Sequence, residues 1–543
     1  MTAGTGTSTG TSAGTSAGRG TRRAVVVGGG VAGLASAALL ARDGYDVQVL
    51  EQRDGLGGRA GTWAQDGFRF DTGPSWYLMP EVFDHFFRLL GTTAEAELDL
   101  EVLEPGYRVY FEGEGRPVDV HADQAANLAT FEAIEPGAGA RLERYLASAR
   151  DVYDVATRRF LYTSFESLAP MLRRDVLVRS RRLLRLFGGP LEGFVARSFA
   201  DPRLRQVLGY AAVFLGSSPD RAPSMYHMMS HLDLADGVRY PQGGFVRVVD
   251  AIAALAEKEG ARLRTGATVT AITTTRPRRG RPRVTGVRYR EDGRERTAPA
   301  DVVVGAADLH HVETALLPPE LQTYPQRWWD RRESGPGAVL VYLGVRGGLP
   351  QLAHHSLFFT RDWTRNFDDI FGRDRRVPEP ASCYVCRPSA TDPTVAPEGF
   401  ENLFVLVPVP PDPGIGRGGL AGAGDPVVER VADAAIDQVA DWAGVPDLRE
   451  RVVVRRTVGP GDFLADFHSW SGGALGPAHT WRQSAFLRGR NASRKVDGLY
   501  YAGSSTIPGI GLPMCLISAE ILLKRLHGDR STGPLPEPLP EPA

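Results

Sequence analysis

Three glycines and a glutamate carry the first legible chemistry in this chain. Gly28, Gly30 and Gly33 stand in the spacing G-x-G-x-x-G, and Glu51 follows at the ~20-residue offset that accompanies it. A β-branched run, residues 24–27, precedes the first glycine, and a small-residue segment, residues 34–42, follows the last. In this order Gly28 makes the tight turn out of a strand, Gly30 lets the backbone approach a pyrophosphate, and Gly33 lets the helix pack on the strand. The helix start then offers unpaired N–H groups to the anion. Glu51 closes a second strand, residues 47–50. A carboxylate there accepts the hydroxyls of an adenosine ribose and disfavours a 2′-phosphate, so the pattern points to FAD or NAD rather than NADP. Residues 24–41 are uncharged and approach the length of a bilayer span, but their glycines and their β-branched end argue for strand, turn and helix.

A second glycine-rich turn, residues 52–59, chooses between the two dinucleotides. It lies where the chain leaves the second strand and can fold back over the same pyrophosphate. Gly57 and Gly58 allow close backbone approach, and Arg59 supplies a planar donor fork for phosphate oxygens. NAD folds do not need this element, so the expected cofactor is FAD. Near the other end, a strand ending at Gly503 is followed by Gly509, Gly511 and Pro513, which bring the chain round into a helix starting near Met514. A helix N-terminus aimed at a flavin's pyrimidine edge stabilises the negative charge that reduction places near N1 and O2.

Gly28 to Gly33, Glu51 and Gly57-Gly58-Arg59 resemble the N-terminal signature of the flavin amine oxidase and phytoene desaturase superfamily. The C-terminal string of residues 499–514, LYYAGSSTIPGIGLPM, resembles the bacterial-type phytoene desaturases of the carotenoid/retinoid oxidoreductase family more than the amine oxidases. Residues 240–245, and residues 388–399 with 405–410, agree, so the resemblance runs from about Arg23 to about His527. It implies an α/β architecture: a Rossmann-type FAD-binding domain, like those of amine oxidases and GDP-dissociation inhibitors, interleaved with an α+β substrate domain. Val269 occupies the position whose backbone meets the adenine ring in that family. Gly503, Gly511, Pro513 and Met514 become the C-terminal flavin segment. The implied reaction is dehydrogenation of a polyene lipid, phytoene toward lycopene, by hydride transfer to flavin N5, with quinone or oxygen as the final electron acceptor. A strong base is not obligatory, because the allylic cation is resonance-stabilised, and no catalytic base is assigned.

A chain of 543 residues exceeds the ~250–300 at which one core stops growing. The period of the intervening segments gives residues 22–75, 237–310 and 460–527 to the FAD-binding domain, with residues 301–308 as its last sheet strand. Residues 76–236 and 311–459 go to a substrate and membrane-facing domain. Residues 1–21 are almost entirely Thr, Gly, Ser and Ala, and residues 528–543 are proline-rich; both are expected as disordered tails. The glycine-rich residues 416–424 are expected as a mobile surface loop. With 63 basic against 64 acidic residues there is no case for a nucleic-acid partner.

The three cysteines exclude a disulfide framework and suggest a reducing compartment. Cys383-x-x-Cys386 falls in a strand, and no second such pair or close histidine pair accompanies it, so no metal is expected. The only lysines are Lys258, Lys495 and Lys524. None stands where amine oxidases of the superfamily place a lysine by the flavin. His227, His231, His354, His355, His468 and His479 are expected as structural or surface residues. Residues 168–187 set an apolar stripe against five arginines, the pattern of a basic helix on an anionic membrane face. The expected location is cytoplasmic, with peripheral contact to the inner face of the cell membrane. Residues 487–491, Leu-Arg-Gly-Arg-Asn, depart from the Arg-Pro-His-Asn-Arg common in phytoene desaturases. That departure leaves open diapophytoene, a hydroxylated carotene or a cis-carotene isomerisation. A flavin amine or protoporphyrinogen oxidase and a prenyl-lipid carrier are the more distant alternatives.

Overall fold

The computed structural model describes residues 21–166, 186 and 188–541. The apolar run after Arg22 forms strand Arg23–Val27, which turns at Gly28 into helix Val31–Arg42. Eleven of that helix's residues are buried, because alanine and glycine let it lie between the sheet and two further helices. Strand Arg23–Val27 sits at the centre of a five-stranded parallel sheet. Asp46–Leu50 and Arg262–Arg264 flank it on one side, and Val302–Gly305 and Leu499–Tyr501 on the other. Parallel strands buried on both faces read as unbroken valine runs, as residues 24–27 and 302–304 do. The strand in residues 301–308 is therefore not the last one: Leu499–Tyr501 pairs beyond it. An antiparallel sheet of Ala267–Thr275, Arg283–Glu291 and Arg294–Pro299 folds over the cofactor sheet.

The other large layer is a seven-stranded sheet in the order Val452–Val458, Gly337–Arg346, Phe400–Val409, Cys383–Cys386, His355–Phe359, Tyr107–Phe111, Val118–Val120. All its pairs are antiparallel except Tyr107–Phe111 with His355–Phe359. Helix Pro426–Ala443 covers one face through Val428, Ala432, Ile436 and Val439. On the opposite face, Tyr107, Tyr342, Tyr384 and Phe404 pack with Phe68, Phe70 and Tyr210 in an aromatic cluster.

Two segments depart from expectation. Residues 416–424, expected as a mobile loop, are tied to their neighbours by backbone hydrogen bonds. Arg417 N donates to Asp425, Gly419 N donates to Thr457 Oγ1 at 2.8 Å, and a side chain on Gly418 would meet the Thr457 carbonyl at 2.0 Å. The described stretch after Gly528 is not a free tail. Its prolines hold it extended along the last helix, Leu512–His527, where Leu539 is buried and its N–H donates to the Leu89 carbonyl. Buried Lys524 donates to the carbonyls of Tyr162, Ser531 and Gly533 at 2.7–2.9 Å, and His85 sits between Glu520 and Glu537. The basic helix expected at residues 168–187 lies, but for Leu186, outside the described residues, as do residues 1–20. Among the described residues no helix is long and apolar enough to cross a membrane.

Deleting residues 530–543 removes two of the three Lys524 acceptors and the buried Leu539 itself, whose burial contributes about 1.5–3 kcal/mol. The thermal midpoint falls by several degrees; an unchanged midpoint contradicts the packing. Burial pushes the His85 pKa down, but the hydrogen bonds and charges of Glu520 and Glu537 outweigh it and hold the imidazole above its ordinary value. The stabilisation is therefore complete below pH ~6.5 and fades as pH rises through the raised value. A His85→Gln variant loses that pH dependence in a denaturation series.

Candidate cofactor and substrate site

Gly28 adopts φ +102°, and a methyl there would meet Ala307 N at 3.0 Å. At Gly33 it would stand 2.0 Å from the Gly28 carbonyl oxygen, so the helix can lie this close only without a side chain. At Gly30 the nearest atom is the Gly57 carbonyl oxygen at 3.9 Å, leaving open space toward the second glycine turn. Gly57 N donates to the Gly29 carbonyl at 2.8 Å, which joins the two turns into one cradle. Helix Val31–Arg42 begins at extended Gly30 with no side-chain cap, so its first N–H groups lack side-chain partners.

The Glu51 carboxylate is buried and fixed. Oε2 accepts from Gly29 N at 2.7 Å and Oε1 from Arg53 N at 2.9 Å. Arg59 donates to Ser469 Oγ at 2.8 Å and lies 3.8 Å from Asp308, while its buried Nε makes no hydrogen bond. Gly28, Glu51, Gly58, Arg59, Val269 and Gly503 line one cleft along the ends of the parallel strands. Gly30, Gly33 and Gly57 do not line the cleft themselves; they set how closely the two glycine turns approach beside it. This donor set fits a dinucleotide: a bare helix start and an arginine with a spare N–H for the pyrophosphate, and an oriented carboxylate for the ribose.

The cleft wall also carries Asp308 and His311, to which the sequence reading gave no role, and His468, which it expected as structural or surface. Asp308 caps the short helix that follows strand Val302–Gly305 and is legible as an acid beyond a cofactor strand. The two histidines stack at 3.9 Å and 9°, an arrangement with no local signal because the rings come from distant segments. Burial, and then the neighbouring His468 and His310, push the His311 pKa down to about 4, so its ring is neutral. No lysine lines the cleft.

Gly511, Pro513 and Met514 lie beyond the cleft, at the start of helix Leu512–His527. Buried His479 reaches this segment: its Nε2 accepts from Ile510 N at 3.3 Å and its Nδ1 pairs with Tyr226 at 2.6 Å. Burial and the Arg488 charge hold it well below the usual histidine range. Arg488, inside the departing stretch of residues 487–491, is buried and donates to the carbonyls of Pro477, Gln483 and Ser504. That stretch therefore still anchors the C-terminal segment.

The segment around Gly216 meets the same stretch. A methyl on Gly216 would sit 3.3 Å from Ile510 Cδ1 and 3.8 Å from Ala478 Cα. Two residues earlier, Phe214 joins an aromatic group with Trp76, Tyr107 and Tyr210 at centroid distances of 5.3–6.1 Å. Trp76 follows Gly73, where a methyl would stand 2.1 Å from the Arg59 carbonyl. The second glycine turn thus contacts the chain three residues before Trp76 and its aromatic group.

The fold and cleft define an FAD-dependent oxidoreductase. The profile of flavin containing amine oxidoreductases matches residues 31–521. A carotenoid 3,4-desaturase of Haloarcula japonica is 42% identical over 504 residues, covering 93% of this chain and 98% of that one. A zeta-carotene-forming phytoene desaturase of Myxococcus xanthus is 36% identical, covering 93% and 94%. Among solved structures, a putrescine oxidase superposes with a TM-score of 0.59 at 14% identity, over 94% of this chain and 99% of its own, which shows the shared fold. The chain belongs to the flavin containing amine oxidoreductases, in the branch of the bacterial-type carotenoid desaturases.

Gly33→Ala drives a methyl into the Gly28 carbonyl and must displace the helix start. Flavin retained per chain after gel filtration falls about tenfold or more, equivalent to at least ~1.4 kcal/mol of binding. Full flavin content in that variant contradicts the cradle.

Proposed function

We propose that the protein is an FAD-dependent carotenoid dehydrogenase acting on CH–CH bonds, a phytoene desaturase that carries phytoene toward lycopene. The observation that supports this reading is likeness to carotenoid desaturases over nearly the whole chain, in a fold that packs an aromatic group around Trp76 three residues beyond the Gly73–Arg59 contact. FAD, when bound, supplies the acceptor for the hydride leaving an allylic carbon, while the adjacent carbon loses a proton.

The chain's own residues hold and shape the reaction. Gly30 and the start of the helix after it receive the pyrophosphate with Gly57, Gly58 and Arg59. Glu51 orients the ribose, and the Val269 backbone backs the adenine. Gly503, Gly511, Pro513 and Met514 bring a helix N-terminus to the flavin ring, where its partial positive charge favours the reduced form. Trp76, Phe214 and Tyr210 pack along the apolar chain and exclude water, so the developing allylic cation is stabilised by conjugation and π faces. The protein collects its substrate at the cytoplasmic membrane face through peripheral contact, and quinone or oxygen removes the electrons.

A second reading is the same chemistry on a carotenoid that is already conjugated. The Haloarcula relative and the departure at residues 487–491 favour it. Expression in two colourless or pigmented bacterial hosts, one making phytoene and one making lycopene, separates the two. Chromatography shows new, red-shifted polyenes from phytoene on the first reading and from lycopene alone on the second. Flavin-loaded protein that changes neither pigment overturns both.

A further inference from the structure

The aromatic face of the seven-stranded sheet hides a polar group that no step of the proposed reaction uses. His355 and Cys386 are direct cross-strand partners in the antiparallel pair of His355–Phe359 with Cys383–Cys386. Such partners project to the same face with their Cβ atoms about 4.5–5.5 Å apart. His354 precedes the strand and folds its ring to the same place. One nitrogen of each histidine and the Cys386 sulfur lie within 4.8 Å of one another, and all three residues are buried, the most exposed at 5%.

Each ring is already oriented. His354 Nδ1 pairs with Thr391 Oγ1 at 2.7 Å and His355 Nδ1 with the Tyr384 hydroxyl at 2.7 Å, and that hydroxyl pairs in turn with Ser75 at 2.6 Å. Trp76 stacks on His355 at 4.5 Å and 10°. The second nitrogen of each ring, Nε2, is buried without a hydrogen bond. Two imidazoles held through Nδ1, each with Nε2 unpartnered in a cluster with a thiol, have the ligand chemistry and the outer hydrogen bonds of a transition-metal site.

We propose that His354, His355 and Cys386 form a buried cation site for Zn²⁺ or a similar borderline-soft divalent metal, pinning the strand pair that backs Trp76. Binding releases the thiol proton to solvent and forms one metal–sulfur and two metal–nitrogen bonds, with no change of oxidation state. Zinc bonds of ~2.0–2.3 Å place ligand atoms about 3.3–3.7 Å apart, so side-chain rotations of about 1 Å complete the set. A small cavity lined by Cys386, Asp71, Ser75 and Tyr240 borders the cysteine. Cys383 cannot join: three residues away on a strand, it points to the opposite face, against Gln438.

The test is metal analysis of the flavin-loaded protein, purified without chelator or affinity metal. About one zinc per chain is expected, falling at least tenfold in Cys386→Ser and in His354→Gln, and unchanged in Cys383→Ser. Protein grown with cobalt shows a near-ultraviolet sulfur-to-metal band that Cys386→Ser removes. This band is read on the unmutated chain, so it stands even where a variant folds poorly. Metal-free protein with full flavin content overturns the proposal, as does zinc or a cobalt–sulfur band that survives Cys386→Ser.

Discussion

Everything in this molecule hangs on how closely two glycine-rich turns approach each other. Gly33 lets a helix rest on the Gly28 carbonyl, and the Gly57 N–H donates to Gly29. These contacts leave a row of backbone donors facing one cleft. A methyl at 2.0 Å from a carbonyl oxygen has no small remedy, because the neighbouring atoms are backbone. The parallel sheet, the uncapped helix start and the fixed Glu51 carboxylate surround that row. The Arg59 to Gly73 contact lies three residues before Trp76 and its aromatic group.

The cofactor half was legible because its chemistry is local. Strand, turn, helix and acid follow one another within residues 24–51, and Gly28 and Gly33 each answer to a close contact while Gly30 faces open space. The C-terminal helix begins at Leu512, close to the expected Met514. Its glycines and proline are signals of chain direction that need no knowledge of the fold.

The substrate half was not legible in the same way. The cross-strand His355–Cys386 partners join residues that only sheet register brings together, and register is a property of the pairing rather than of either strand. Reading Cys383-x-x-Cys386 as one unit misses that its two thiols face opposite sides of the sheet. The C-terminal stretch misled for another reason. Its composition is that of a disordered chain, but prolines fix an extended path, and Lys524, His85 and Arg42 supply charged and hydrogen-bonding partners for it.

The central claim is that the flavin cradle faces an apolar polyene and not a polar amine. Anaerobic mixing of flavin-loaded protein with phytoene in lipid vesicles, followed at the flavin's visible absorbance, tests it directly. The account predicts bleaching in step with the appearance of a longer conjugated chromophore, and no bleaching by a diamine such as putrescine. Bleaching by the diamine with the polyene left unchanged would contradict it.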